Sequence, residues 1–137
     1  MKLNIARSAY DRVLDHCAAT PAVEACGLLI GRSGHVERAV PTPNRARNPA
    51  IAFEIDPSAL FAAIRDERAG KYRVLGHFHS HPGGEAQPSD RDREMALDVG
   101  RYWVIVVSGR MAAWQVVAPG QFAAVELCLA SGGAEGQ

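Results

Sequence analysis

Cysteine is scarce in this sequence: three residues in 137, none of them in a C-x-x-C pair. Cys17, Cys26 and Cys128 are too few and too widely spaced for a disulfide framework or a zinc ribbon. Cys26, within "CGLLIG", reads as a small buried thiol rather than a nucleophile, since free cysteine is among the most buried residue types. An excess of charge is missing too, because fifteen basic and fifteen acidic side chains cancel. Such a chain has no net field to gather nucleic acid or anionic lipid, so neither is expected as a partner. No apolar run approaches the roughly 20 residues that a membrane-spanning helix needs. The opening "MKLNIARSAYDRVLDHC" carries neither the apolar stretch nor the small-residue cleavage site of a secretory leader. These absences predict a cytoplasmic protein.

What is present suffices for one core. Apolar residues make up 47% and charged residues 22%, a globular balance rather than a disordered one. The length fits a single domain, expected over residues 1–130, with "SGGAEGQ" (131–137) as a disordered tail.

Lys2–Ile5 read as a short first strand. "RSAYDRVLDHCAAT" places Tyr10, Val13, Leu14 and Cys17 at helical spacing, and Thr20-Pro21 ends that helix. "CGLLIGR" and "HVERAVPT", separated by Ser33-Gly34, form a β-hairpin pattern. A loop rich in proline and asparagine follows, then "AFEI" as a short strand. Asp56-Pro57 opens a second helix, with Asp56 as N-cap and Pro57 at the first helical position, running to Gly70. "YRVLGHFH" is a strand and "RDREMALDVG" a third helix. "YWVIVVS", "MAAWQVVA" and "FAAVELCLA" are strands, the first two joined around Gly109-Arg110. The pattern predicts an α/β domain with a mixed, largely antiparallel β-sheet flanked by about three helices.

The chemistry concentrates in "GHFHSHPGGEAQPSDRD", Gly76 to Asp92. On an extended strand His77, His79 and His81 share one face, about 6.6 Å apart per step. Adjacent pairs, either His77 with His79 or His79 with His81, can converge on one metal ion. A third ligand is then needed from the next element, and Asp92 lies one turn into the helix that opens near Ser89. Two histidines and a carboxylate leave a tetrahedral zinc one open position, as catalytic sites require. Each part also has a plainer use. "SDRD" matches a capping box, in which Ser89 and Asp92 satisfy the N–H groups of a helix start.

The stretch "HSHPGGEAQPSDRD" resembles the signature H-x-H-x7-S-x2-D of the JAMM metallopeptidases, the JAB/MPN domain family, through His79, His81, Ser89 and Asp92. The family's upstream glutamate has its counterpart in Glu24 of "EACGLLIG". Asn44, "FEIDP" (53–57) and "VIVVS" (104–108) are further echoes, so the resemblance spans the ordered chain and implies a JAB/MPN-like fold. It implies Zn²⁺ held by His79, His81 and Asp92, with His77 as a neighbour. It also implies Glu24 as general base and then acid, and Ser89 as hydrogen-bond donor to an oxyanion. Family members cleave after the C-terminal glycines of ubiquitin-like proteins or trim sulfur-carrier tails. This compact chain resembles the stand-alone prokaryotic branch, which implies the tail of a ubiquitin-fold or sulfur-carrier protein as substrate. Asn44 and Ser108 are groove candidates, although turn chemistry is the better account of Asn44. Two other classes share parts of the pattern: non-catalytic MPN scaffold modules, and RadC-like proteins associated with DNA repair. An intact set of five site residues argues against the first, and charge neutrality against the second.

Overall fold

The computed structural model of the protein describes residues 1–70 and 72–130. The segment 131–137, expected as a disordered tail, lies outside the described residues. Among the described residues seven strands and three helices follow in the order β1 (Lys2–Ile5), α1 (Arg7–Ala19), β2 (Cys26–Arg32), β3 (His35–Thr42), α2 (Pro57–Arg68), β4 (Arg73–Ser80), α3 (Asp90–Met95), β5 (Tyr102–Val107), β6 (Arg110–Ala118) and β7 (Gln121–Leu129). The strands are ordered β1-β3-β2-β4-β5-β6-β7, and β1 pairs with β7 to close the sheet into a barrel. Pairs β2–β3, β2–β4, β5–β6 and β6–β7 are antiparallel, while β1–β3, β1–β7 and β4–β5 are parallel. The mixed, largely antiparallel α/β architecture with three helices is thus as the sequence predicts, and closure is an addition. Among the described residues no helix is long and apolar enough to cross a membrane.

Two hairpin turns are built alike. Ser33-Gly34 (φ 45° and 73°) and Ser108-Gly109 (φ 48° and 77°) each place both central residues in the left-handed region, the conformation that matches strand twist across a two-residue turn. The second turn therefore falls one residue earlier than expected, and Arg110 already belongs to β6. Helix α1 buries Ala9, Val13 and Cys17 in a core shared with Leu3, Ile5, Leu29, Val36, Phe78 and Val104. Gly76 sets the spacing of β4 against β5. A Cβ at that position would sit 1.7 Å from the carbonyl oxygen of Tyr102, so only glycine lets the two strands approach.

Three local expectations need correction. Helix α3 stops at Met95 instead of running on to Gly100. Ala96 leaves helical geometry and is buried, and its carbonyl accepts Gly120 N–H while Gly100 N–H donates to Val116 O. Tertiary hydrogen bonds to β6 and the β6–β7 turn have replaced helical ones. "AFEI" is not a strand of the sheet, since only Ile55 forms an isolated bridge, to Asn44. The segment folds back on its own loop, with Arg45 N–H donating to Glu54 O. Asp56 does occupy the N-cap of α2, but its side chain makes no capping bond and pairs with Arg45 at 3.0 Å.

Candidate metal centre

Antiparallel pairing of β2 with β4 sets Cys26 opposite His79, which brings the segment before β2, and Glu24 with it, beside the histidines. Ser80, the residue between the two histidines, fastens that segment. Its Oγ accepts Ala25 N–H at 2.9 Å and donates to Val23 O at 3.4 Å, and its own N–H donates to Ala25 O. Ser80 was not singled out from the sequence. Its position inside H-x-H, pointing away from the ligands on an alternating strand, was the available signal.

Asp92 arrives through the capping box. Ser89 Oγ accepts Asp92 N–H at 3.1 Å, and Ser89 N–H donates to Asp92 Oδ2 at 3.0 Å. The same capping geometry leaves Asp92 Oδ2 facing the two imidazoles. His79 Nε2, His81 Nε2 and Asp92 Oδ2 form a small triangle with sides of 3.0, 3.0 and 3.3 Å. A tetrahedron with bonds of about 2.0–2.1 Å to zinc has edges of about 3.3–3.4 Å, so the triangle is one face of such a site to within a few tenths of an ångström.

The tautomers support a cation there. His81 Nδ1 donates to the carbonyl of Glu85 at 2.7 Å, so the proton of a neutral His81 sits on Nδ1 and Nε2 offers a lone pair. That lone pair faces the Asp92 carboxylate and the second imidazole, an arrangement that requires a proton or a metal ion between them. Burial alone would raise the Asp92 carboxyl, but bonds with His79 and His81 outweigh it and hold the group well below the usual carboxylate range. Burial lowers His79 despite the same carboxylate. For His81 burial pulls downward, and Asp92 with the Glu85 carbonyl overcomes it and raises the group.

Glu24 is 7% exposed, and its Oε1 has no hydrogen-bond partner. Burial pushes its carboxyl up to about 7, against the opposing pull of His81. One ligand atom each from Glu24, His79 and His81 lie within 4.8 Å of one another, so Glu24 is a rival for the third ligand position. The tighter triangle favours Asp92, which also has its carboxylate fixed by a backbone donor, whereas one buried oxygen of Glu24 is left without a partner.

His77 is not drawn into this cluster. Its ring packs on Trp103 (4.2 Å, 63°) and Phe53 (4.8 Å), and its buried Nε2 has no partner, so burial and His79 hold it well below its ordinary value. The spacing alternative of His77 with His79 is thus not the pair the structure converges. Phe53 stacks on His79 at 4.2 Å with a 17° angle between the rings. Cys26 faces Thr42 and Pro43, and burial pushes its thiol up, in keeping with an inert buried cysteine. Ser108 lies in the β5–β6 turn, lining a cavity of about 520 Å³ that also touches His81.

A family model described as prokaryotic homologues of the JAB domain matches residues 6–117. A desampylase from Haloferax volcanii is 34% identical over 119 residues, covering 82% of this chain and 86% of its own. A probable TtuB-protein conjugate cleaving protease from Thermus thermophilus is 36% identical over 90 residues, covering 66% of this chain and 60% of its own. The solution structure of a Desulfitobacterium hafniense protein superposes with a TM-score of 0.80 at 28% identity, covering 94% of this chain and 93% of its own.

Proposed function

This chain belongs to the family of prokaryotic homologues of the JAB domain and is a JAMM-type isopeptidase, and on that premise we propose that it uses zinc to hydrolyse the amide or isopeptide bond after the C-terminal glycines of a ubiquitin-like or sulfur-carrier protein. The observation that carries the proposal is the 3.0–3.3 Å triangle of His79, His81 and Asp92 with a buried Glu24 carboxylate oxygen within 4.8 Å of the two imidazoles. The substrate class draws support from the relatives, one named a desampylase and another named for cleaving protein conjugates.

His79, His81 and Asp92 would hold the ion. Zinc there supplies the Lewis acidity that polarises a carbonyl and makes water nucleophilic near neutral pH. Glu24, whose burial raises its carboxyl in the metal-free protein, takes the proton from the attacking water and delivers it to the departing amine. Ser89 accepts Asp92 N–H through its oxygen, and its hydroxyl proton is left to donate to the developing oxyanion. Ser80 keeps Glu24 and the ligand strand in register.

The test is incubation of the zinc-loaded protein with the host's ubiquitin-fold proteins, each extended by a few residues after its diglycine, followed by intact mass. Release of the extension at the Gly–X bond is expected. Cleavage at unrelated sites, or none by a protein holding one zinc, would overturn the proposal.

A further inference from the structure

We infer that Asn44 is a positioning residue for Glu24, tying the peptide of the base to the loop that also covers a metal ligand; the inference rests on Glu24 being the general base. A side-chain amide offers two N–H donors and an oxygen with two lone pairs, and Asn44 uses all four. Its Oδ1 accepts Ala46 N–H at 2.9 Å and Glu54 N–H at 3.0 Å. Its Nδ2 donates to Ala52 O at 2.9 Å and to Glu24 O at 2.8 Å. Three of these bonds close the loop between Asn44 and Ile55 on itself. The fourth leaves the loop and takes hold of the base residue.

Glu24 precedes β2, so its own peptide groups are not part of the sheet ladder. Both end on this loop instead. Glu24 N–H donates to Pro49 O at 2.7 Å, and Glu24 O accepts Asn44 Nδ2. The same loop carries Phe53, stacked on His79. One closed loop therefore sets where the base stands relative to the ligand cluster, while the backbone of His79 is held in β4, His81 by bonds to Val106 O and Glu85 O, and Asp92 by the capping box.

Two substitutions cut the tether with different losses from the loop. Asn44→Ala removes all four bonds. Asn44→Asp keeps the two acceptor bonds to Ala46 and Glu54 N–H, which hold two of the three loop closures, and turns a carboxylate oxygen towards Ala52 O and Glu24 O, which cuts the tether together with the third. Each is made in the wild-type and in the Glu24→Gln background. Zinc content and steady-state cleavage are measured on a ubiquitin-fold protein joined through Gly-Gly to a lysine peptide. Both single variants should hold near one zinc and lose about 10- to 100-fold in kcat, the scale of a misplacement of about 1 Å. In the Glu24→Gln background neither should cost more than about twofold further, because the group they position is gone.

Wild-type kcat in Asn44→Asp overturns the inference, as does an equal fold-loss with and without the Glu24 carboxylate. Failure of both variants to fold assigns Asn44 to the fold alone and overturns it too. A Glu24→Gln protein cleaving at the wild-type rate is a different result: it removes the base assignment itself, whatever Asn44 does.

Discussion

The carboxylate proposed as the base should also be a stability liability, and its size follows from the site. Glu24 sits at about 7 against an ordinary value of 4.5, a difference of 2.5 from those two values. At 1.36 kcal/mol per unit, burying the ionised form costs about 3 kcal/mol in the metal-free protein. The sign is fixed by which state binds the proton more tightly. Below about 4.5 the group is protonated in both states and costs nothing. Between 4.5 and 7 the unfolded chain gives up the proton and the folded one keeps it, so folding stability falls as pH rises. Above 7 the full penalty is present. Glu24→Gln abolishes this slope. Denaturant unfolding of zinc-stripped wild type and variant should therefore show a stability difference that shifts in favour of the variant by about 2–3 kcal/mol between pH 5 and pH 8.5. Taking the difference removes the shared titration of His77 and His79, and any constant cost of burying the amide. Parallel pH curves for the two proteins would falsify the account of Glu24 as a strained, desolvated acid.

Further outcomes are expected. Glu24→Gln should retain zinc and lose about 10²–10⁴-fold in cleavage rate, read by single-turnover mass analysis at matched metal content. Elemental analysis should find near-unit zinc in the wild type and little in a His79→Ala/His81→Ala variant; equal metal in both would dismiss the centre. Ser80→Ala strips the buried Ala25 N–H of its partner and should cost about 1–3 kcal/mol in unfolding free energy, with kcat falling alongside. Gly76→Ala places a methyl 1.7 Å from Tyr102 O and should lower the melting temperature far more than Gly70→Ala, where nothing lies within 4 Å.

The site was legible in the sequence to the extent that its parts are local. His79, His81, Ser89 and Asp92 fall within fourteen consecutive positions, and a strand followed by a capped helix start is enough to bring them together. Strand periodicity alone left His77 and His81 equivalent partners for His79. What breaks that tie is partly aromatic packing, because Trp103 and Phe53 enclose His77 from elements far along the chain. Glu24 is further from legibility. Its approach depends on β2 pairing with β4 and on Ser80 fastening Val23–Ala25, contacts that span more than fifty residues and leave no periodic trace. It was reached through family resemblance and not from spacing.

The same distinction between local and distant contacts accounts for the fold. The Ser-Gly hairpins and the strand alternation are short-range and were read within a residue or so. Barrel closure through parallel β1–β7 pairing was not, since it joins the two ends of the described chain without a turn to announce it. Helix α3 shows competition between the two. Its sequence favours helix to Gly100, yet Ala96 O and Gly100 N–H find partners on Gly120 and Val116, and burial of Ala96 beside Trp103 draws the chain out of helical geometry. Asn44 shows local chemistry with a distant consequence. A loop asparagine bonding its neighbours is ordinary turn behaviour. Its second N–H escapes the loop because Glu24, lacking a ladder partner ahead of β2, has a carbonyl to satisfy. Placing an acid just outside a strand frees it from the sheet's geometry, and its backbone must then be held by something else; here that is the loop.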